Sequence, residues 1–166
     1  MEPVTYTPIG IVRSPFTSIV GMPVQSVAAT DVAGSIEVDH GYEEGLLDLA
    51  DFSHLLLLVH LHQVVGYALQ VVPYLDNLPH GIFATRSPRR PNPIGISIVR
   101  LVGMNGCTLY IQDVDVLDGT PLLDLKPFVP AIDNRQTDQI GWFADRLDRL
   151  QSTRADNRFH DEAEQE

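Results

Sequence analysis

The chain has 166 residues, a hydrophobic fraction of 44% and a formal net charge of −11, from 22 acidic and 11 basic residues. This length suits one domain with a sizeable hydrophobic core. The strong acidity argues against loose, sequence-independent binding to nucleic acids, which depends on many phosphate contacts, so DNA is not an expected partner.

Membrane and secretory signals are missing from the sequence. The longest apolar run, residues 55–61, is interrupted by His60 and is far too short to span a bilayer. Residues 1–5 lack the basic region and apolar stretch of a signal peptide. Cys107 is the single cysteine and cannot form an internal disulfide. These features predict a cytoplasmic protein without a membrane partner.

Short apolar segments separated by glycine and proline turns predict mainly β-strands. In chain order, the predicted extended segments are residues 6–13, 35–38, 54–65, 81–85, 96–102 and 108–116. Asn105-Gly106 predicts a hairpin between the last two, because both residues tolerate positive φ. A helix is predicted at residues 138–150, where four apolar side chains fall on one face. They are Ile140, Phe143, Leu147 and Leu150.

Together these elements predict a mainly-β fold, a single β-barrel domain with a C-terminal amphipathic helix. The barrel is expected over residues 1–137, the helix at 138–150 packed on it, and a mobile polar tail at 151–166. The sequence has no GxGxxG after a strand and no P-loop, so a dinucleotide-binding Rossmann domain is not expected.

Residues 84–97, ATRSPRRPNPIGIS, hold three prolines and three arginines. We call this segment the arginine loop. Arg86, Arg89, Arg90 and the nearby Arg100 are four of the 11 basic residues, and no acid lies between positions 78 and 112. Proline excludes a helix or a central strand here. A stiff backbone that presents guanidinium groups suits a carboxylate or phosphate ligand, and an ordinary exposed turn is the alternative.

Acidic residues near 118–126 have two interpretations each. Asp118 begins the turn Asp-Gly-Thr-Pro, which an Asx-turn explains and which can also hold a ribose or adenine edge. Asp124 and Lys126 alternate in an extended segment and therefore face the same side. They form either a structural ion pair, or a site in which Asp124 accepts a proton and Lys126 contacts phosphate.

Three histidines, His54, His60 and His62, share one face if residues 54–65 form one strand. His54 and His62 would then lie about 26 Å apart, too far to share an ion. A third ligand for His60 and His62 is not evident, so no metal site is predicted.

The arginine loop resembles the signature of the TsaA-like family, whose best-known members are the TrmO-type tRNA methyltransferases. Further stretches match the family in the same order, at residues 9–16, 23–25, 45–54, 62–63 and 117–130. The resemblance covers roughly residues 5–133. The resemblance implies a β-barrel homodimer that binds S-adenosylmethionine near the dimer interface.

The resemblance also implies the site. Its cofactor-binding residues are Pro23, Val24, Gln25, His62, Gln63, Arg86, Leu117, Asp118, Gly119, Thr120 and Pro121. Candidate proton acceptors are Asp124 and Asp118. Candidate substrate-binding residues are Arg89, Arg90, Asn92, Lys126 and Phe128. Val24 departs from the common arginine of the family, and the chain is a short form without the extra C-terminal domain of long bacterial members.

The implied activity is methylation of the exocyclic amine of threonylcarbamoyladenosine beside the tRNA anticodon. Unstacked anticodon bases suit recognition by aromatic and arginine planes. Two alternatives remain open. One is a methyltransferase of a small molecule, which the acidity and Val24 favour. The other is a non-catalytic ligand-binding barrel.

Overall fold

The computed structural model describes residues 2–159 and contains eight strands. The strands are β1 Gly10–Arg13, β2 Gly34–Val38, β3 His54–His60, β4 Gln70–Val71, β5 His80–Gly81, β6 Ile94–Asn105, β7 Thr108–Gln112 and β8 Thr120–Pro127. One short α-helix, α1, spans Pro130–Asp133. The remaining helical turns are 3-10 turns at Ser26–Ala28, His40–Leu46, Leu49–Asp51, Ile82–Ala84, Gly141–Phe143, Leu147–Arg149 and Asn157–Phe159. The predicted mainly-β fold class is confirmed.

Six of the strands form a closed barrel in the order β1-β2-β7-β6-β3-β8, and β4 and β5 pair separately. All neighbours are antiparallel, and β8 returns to pair with β1. The register shifts between Leu58 and Val59 on β3, and between Leu101 and Gly103 on β6. Such irregularities bend a strand, which helps a short sheet to close on itself.

The core fills the barrel with alternate residues of each strand. On β3, Leu55, Leu57 and Val59 are all 0% exposed, whereas the residues between them point outward. Val99 of β6 and Leu122 of β8 are equally buried. The apolar run near residue 55 is therefore a barrel strand whose outer face also carries leucines.

The strand predicted over residues 54–65 ends at His60, and His62 and Gln63 lie in the loop that follows. Leu61 still donates a backbone hydrogen bond to the Pro93 carbonyl at 2.8 Å. Pro93 has no N–H to return, so the ladder stops there. The three histidines thus do not share one strand.

The extended segment predicted at residues 81–85 also differs, because residues 82–84 form a 3-10 turn.

The predicted helix at residues 138–150 is wrong. Two separate 3-10 turns occupy the segment. Gly141 has φ +60°, a left-handed conformation that a continuous right-handed helix cannot contain. Ile140 and Leu147 are 41% and 48% exposed, so the predicted apolar face is not buried as a unit.

Residues 151–159 belong to the predicted mobile tail and make contacts with the rest of the chain. Gly21 N donates to the Ala155 carbonyl at 2.8 Å, and Ala155 N donates to the Met22 carbonyl at 2.9 Å. Phe159 is buried at 7% exposure. Residues 160–166 lie outside the described part of the chain. Within residues 2–159, no helix has the length and apolarity needed to cross a membrane.

Candidate functional site

A cavity of about 410 Å³ opens beside the end of β3 and the starts of β6 and β8. This volume lies within the range of small-molecule sites. Its walls come from residues 19–25, 59–64, 73–75, 85–96, 115–120 and 142–159. Segments that are far apart in the sequence therefore meet at one end of the barrel.

Eight of the eleven predicted cofactor-binding residues line this cavity. They are Pro23, Val24, Gln25, His62, Gln63, Arg86, Leu117 and Thr120. Asp118, Gly119 and Pro121 are not among the lining residues. The Asp118 carboxylate instead accepts a hydrogen bond from Ser14 N at 3.2 Å and lies 3.8 Å from the Arg13 guanidinium. Within this turn, only Thr120 therefore lines the cavity.

Arg86 is held in place by the start of the arginine loop. The buried Thr85 hydroxyl donates to the Ile82 carbonyl at 2.9 Å and accepts from Ser87 N at 3.2 Å. These bonds fix the backbone on both sides of Arg86. The Arg86 guanidinium donates to the Gln25 side-chain oxygen, which joins two of the family-like motifs in one contact.

Arg90 braces the arginine loop from inside. Its guanidinium donates to the Ile82 carbonyl at 3.2 Å and to the Thr85 carbonyl at 2.9 Å. It lies 5.9 Å from the centroid of the Phe83 ring and also lines the cavity. Arg90 therefore both stabilises the loop and lines the cavity, and its predicted contact with substrate stays a prediction.

The other predicted substrate residues lie apart from the cavity lining. Asp124 and Lys126 form an ion pair at 2.6 Å, with side chains 45% and 59% exposed. The structural-pair interpretation thus describes them. Phe128 lies edge-on to His54, with centroids 6.4 Å apart. Arg89 and Asn92 belong to the arginine loop but are not among the lining residues. The structure does not bring Asp124, a predicted proton acceptor, to the cavity.

Asp115 is a site residue that sequence reasoning missed. It is the one carboxylate among the described residues that line the cavity. The Ser97 hydroxyl, itself only 2% exposed, donates to it at 2.5 Å. Burial raises the pKa of Asp115 to about 6, although the hydrogen bond from Ser97 and the charge of Arg86 act in the opposite direction. The sequence offered one signal for this residue, an acid between two valines. Both of them, Val114 and Val116, are buried in the structure.

Ser87 adds a polar group to the same wall. Its side chain is 5% exposed, and its Oγ has no hydrogen-bond partner among the described residues. Buried hydroxyls are usually paired, and a lone one beside a cavity suits a ligand with polar atoms.

The segment 142–159 supplies an aromatic wall that the sequence did not predict. Trp142 stacks on Phe143, with centroids 3.9 Å apart, and on His80 at 4.6 Å. Its indole N–H donates to the Ala84 carbonyl at 2.7 Å. The backbone of the arginine loop and this aromatic wall are therefore directly connected.

Asp76 anchors the aromatic wall through charge. Its carboxylate lies 2.9 Å from His80 Nε2 and 2.8 Å from the Arg146 guanidinium. The hydrogen bond to His80, with smaller contributions from Asn77 N and Arg146, lowers the pKa of Asp76 to about 2. Asp76 thus stays ionised at neutral pH. Its ion pair with Arg146 connects the aromatic wall to the loop before β5.

His62 lines the cavity, whereas a separate group of possible metal ligands near Cys107 does not. Partial burial and the charge of His60 lower the pKa of His62, so its imidazole is neutral at pH 7. Ligand atoms of His40, Glu43 and Cys107 lie within 4.8 Å of one another. Cys107 follows the far end of β6, whereas the cavity lies at its start, so that cluster is separate from the site.

The comparisons with known proteins agree on one family for this chain. Residues 11–134 match the model of the tRNA-methyltransferase O N-terminal domain. A probable S-adenosyl-L-methionine-binding protein of Pyrococcus abyssi is 49% identical over 156 residues, which cover 94% of this chain and 85% of that protein. A tRNA (adenine(37)-N6)-methyltransferase of Mus musculus is 34% identical over 136 residues, covering 78% of this chain and 32% of the mouse protein.

Solved structures agree with the sequence comparison. The crystal structure of TrmO from Pseudomonas aeruginosa superimposes with a TM-score of 0.70 at 36% identity. The match covers 85% of this chain and 63% of that one. The chain thus spans about a third of the mouse relative and less than two thirds of the solved structure. Since the family model covers most of the described barrel, the chain belongs to the tRNA-methyltransferase O N-terminal domain family.

Proposed function

We propose that this protein is a cytoplasmic S-adenosylmethionine-dependent methyltransferase that methylates N6 of adenosine 37 in tRNA, with threonylcarbamoyladenosine as the form on which it acts. One observation carries the proposal. The cavity gathers Gln25, His62, Arg86 and Thr120, which come from four separate family-like motifs. The names of the mouse and Pseudomonas aeruginosa relatives supply the reaction class.

The residues of the cavity fit the cofactor. Arg86 offers a fork of N–H donors to its carboxylate. The buried Ser87 hydroxyl offers an unused hydrogen bond, and apolar walls at Leu117 and Phe159 suit its adenosine. When bound, the cofactor supplies a methyl group already activated by the sulfonium. The protein's main contribution is then to orient the acceptor nitrogen in line with that methyl group.

Electrostatics favour an anionic acceptor at the arginine loop. The chain has a net charge of −11, yet residues 78–112 contain no acid and four arginines. The threonylcarbamoyl group carries a carboxylate next to the reacting nitrogen, and the anticodon loop adds phosphates. A cationic loop on an acidic protein thus confines productive docking to one surface.

The direct test is a methylation assay with purified protein, S-adenosylmethionine and tRNA prepared with or without threonylcarbamoyl. Mass spectrometry of the tRNA nucleosides measures the methylated product. We expect methylation of the carbamoylated tRNA alone. Methylation of both tRNAs would contradict the substrate assignment. Turnover of a small molecule in place of tRNA would support the first alternative, and cofactor binding without any turnover would support a non-catalytic barrel.

Arg89→Ala tests the role of the arginine loop in RNA docking. We expect a higher half-saturating tRNA concentration. The slope of the logarithm of tRNA affinity against the logarithm of salt concentration should be smaller in magnitude by about 1, because one phosphate contact is lost. Arg100→Ala is the matched control, since Arg100 lies farther along β6, outside the arginine loop. Normal tRNA dependence across a salt series in Arg89→Ala would remove Arg89 from the substrate site.

We also propose that the protein is a homodimer. The outer faces of β3 and β6 form an apolar patch, which we define as Leu56, Leu58, Ile94, Ile96 and Ile98. The three isoleucines are 38%, 61% and 36% exposed. Contiguous exposed apolar surface is typical of an interaction site. Two members of the patch, Ile94 and Ile96, also line the cavity, which is consistent with a site close to a dimer seam.

Ile98→Asp tests the dimer without touching a cavity residue. A charge within an apolar interface would remain desolvated and unpaired, so we expect the variant to be a monomer. Light scattering at micromolar concentration measures the mass. Val102→Asp is the control, because Val102 is 54% exposed on the same strand but lies outside the patch. A monomeric wild-type protein would contradict the proposal.

A further inference from the structure

We propose that Asp115 accepts the proton that leaves the adenine N6 during methyl transfer, an inference that rests on the proposed function. The N6 of threonylcarbamoyladenosine carries a single hydrogen. Its lone pair is delocalised into both the purine ring and the carbamoyl carbonyl, which makes it a weak nucleophile. Removal of the proton in the transition state would therefore accelerate the reaction.

The step balances with groups that the site already provides. The bond from N6 to the methyl carbon forms as the bond from that carbon to sulfur breaks. The electron pair of the broken bond remains on sulfur, which loses its positive charge. The N6 proton passes to the Asp115 carboxylate, and Asp115 later releases it to solvent.

The position of Asp115 suits this role. Among the described cavity-lining residues it is the one carboxylate, and the hydrogen bond from Ser97 at 2.5 Å fixes its orientation. Val116, which is 8% exposed, and Leu117 form an apolar wall beside it. Burial also raises its pKa to about 6, closer to that of an effective base at neutral pH.

The two predicted proton acceptors are placed less favourably. Asp118 faces Ser14 N and Arg13, and Asp124 pairs with Lys126 on the outside of β8. Neither carboxylate lines the cavity. Asp115 therefore replaces both as the acceptor.

Other ionisable groups around the cavity must be separated from Asp115 in a pH experiment. They are Arg86, Arg90, His62 and Tyr74. Arginines do not titrate in the accessible range. Burial, with the charge of Asp156, raises the pKa of Tyr74 to about 12. His62 has a pKa lowered from its usual value, so of these four groups it is the one that titrates close to Asp115.

The test measures single-turnover methylation of threonylcarbamoylated tRNA across pH at saturating cofactor, together with cofactor affinity by calorimetry. We expect the wild-type rate to rise with pH and level off above about 6, the pKa of Asp115. Asp115→Asn should lose this rise and slow the reaction about 100-fold or more, with cofactor affinity changed less than about threefold.

Two further variants distinguish a base from a structural residue. The Ser97 hydrogen bond stabilises the ionised carboxylate, so Ser97→Ala should raise the pKa of Asp115 and move the rise to higher pH. His62→Gln should keep the rise where it is. Asp115→Glu should recover part of the rate if a carboxylate at this place is what matters.

Several outcomes would overturn the inference. One is Asp115→Asn methylating at close to the wild-type rate. Another is an equal loss of rate and cofactor affinity in that variant, which would make Asp115 a counter-ion for the cationic cofactor. A third is loss of the pH rise in His62→Gln. These three leave the proposed function intact, whereas a wild-type protein that methylates no tRNA would refute both.

Discussion

Arg86→Ala should weaken the binding of S-adenosylmethionine by roughly 10- to 150-fold, measured by calorimetry. Thr85 fixes the backbone on both sides of Arg86, and the guanidinium donates to the Gln25 side-chain oxygen, so it is pre-organised to meet a carboxylate. Loss of one charge-assisted hydrogen-bonded contact costs about 1.5–3 kcal/mol. Arg86→Lys should recover only part of the affinity, since an ammonium cannot form the two-pronged contact.

The control for this experiment is Arg100→Ala, which removes an equal charge from an ion pair with Asp31 outside the cavity. Cofactor affinity should change little in that variant. Thermal melting of both proteins without ligand verifies that each is folded. Unchanged affinity in a folded Arg86→Ala protein would show that the cofactor carboxylate is bound elsewhere.

Asp115→Asn should stabilise the ligand-free protein at pH 8. The pKa of Asp115 is raised from 3.8 to about 6 in the folded state. A raised carboxyl pKa contributes stability below the unfolded value of about 3.8 and loses that contribution as pH increases through about 6. Keeping the ionised form folded at pH 8 therefore costs about 3 kcal/mol, which a neutral amide avoids.

The measurement is the melting temperature of the ligand-free protein at two pH values. A gain of about 3 kcal/mol corresponds to about 6–12 °C in a chain of this size. We expect this gain at pH 8 and almost none near pH 4. Asp124→Asn is the matched control because its carboxylate is 45% exposed beside Lys126, so its effect should be small at both pH values. Destabilisation of Asp115→Asn at pH 8 would contradict the account of its burial.

Much of the fold was predictable from local patterns. Alternating apolar residues and the Asn105-Gly106 turn indicated the antiparallel strands that meet at the hairpin between β6 and β7. The candidate cofactor residues, among them Gln25, His62 and Arg86, were instead implied by the family resemblance. Eight of these eleven residues line one cavity.

Features decided by tertiary packing were not predictable. The alternation rule placed Asp124 and Lys126 on the same side, but it did not reveal that this side is the outside of the barrel. Asp115 is buried by the approach of Ser97, which is 18 residues away. The helical periodicity of residues 138–150 was misleading, because Gly141 adopts a left-handed conformation and the segment packs on the cavity through separate turns.

Closure of the barrel through β1 and β8 requires two segments that are far apart in the sequence to pair. Residues 10–12 must find residues 120–122, a pairing of high sequence separation that forms slowly. The wall at residues 142–159 packs on the rest of the chain through anchors at Met22, Asp76 and Ala84, which lie outside the barrel strands. Ligand binding to the cavity stabilises this packing, and it protects the wall from local opening more than it protects the barrel strands.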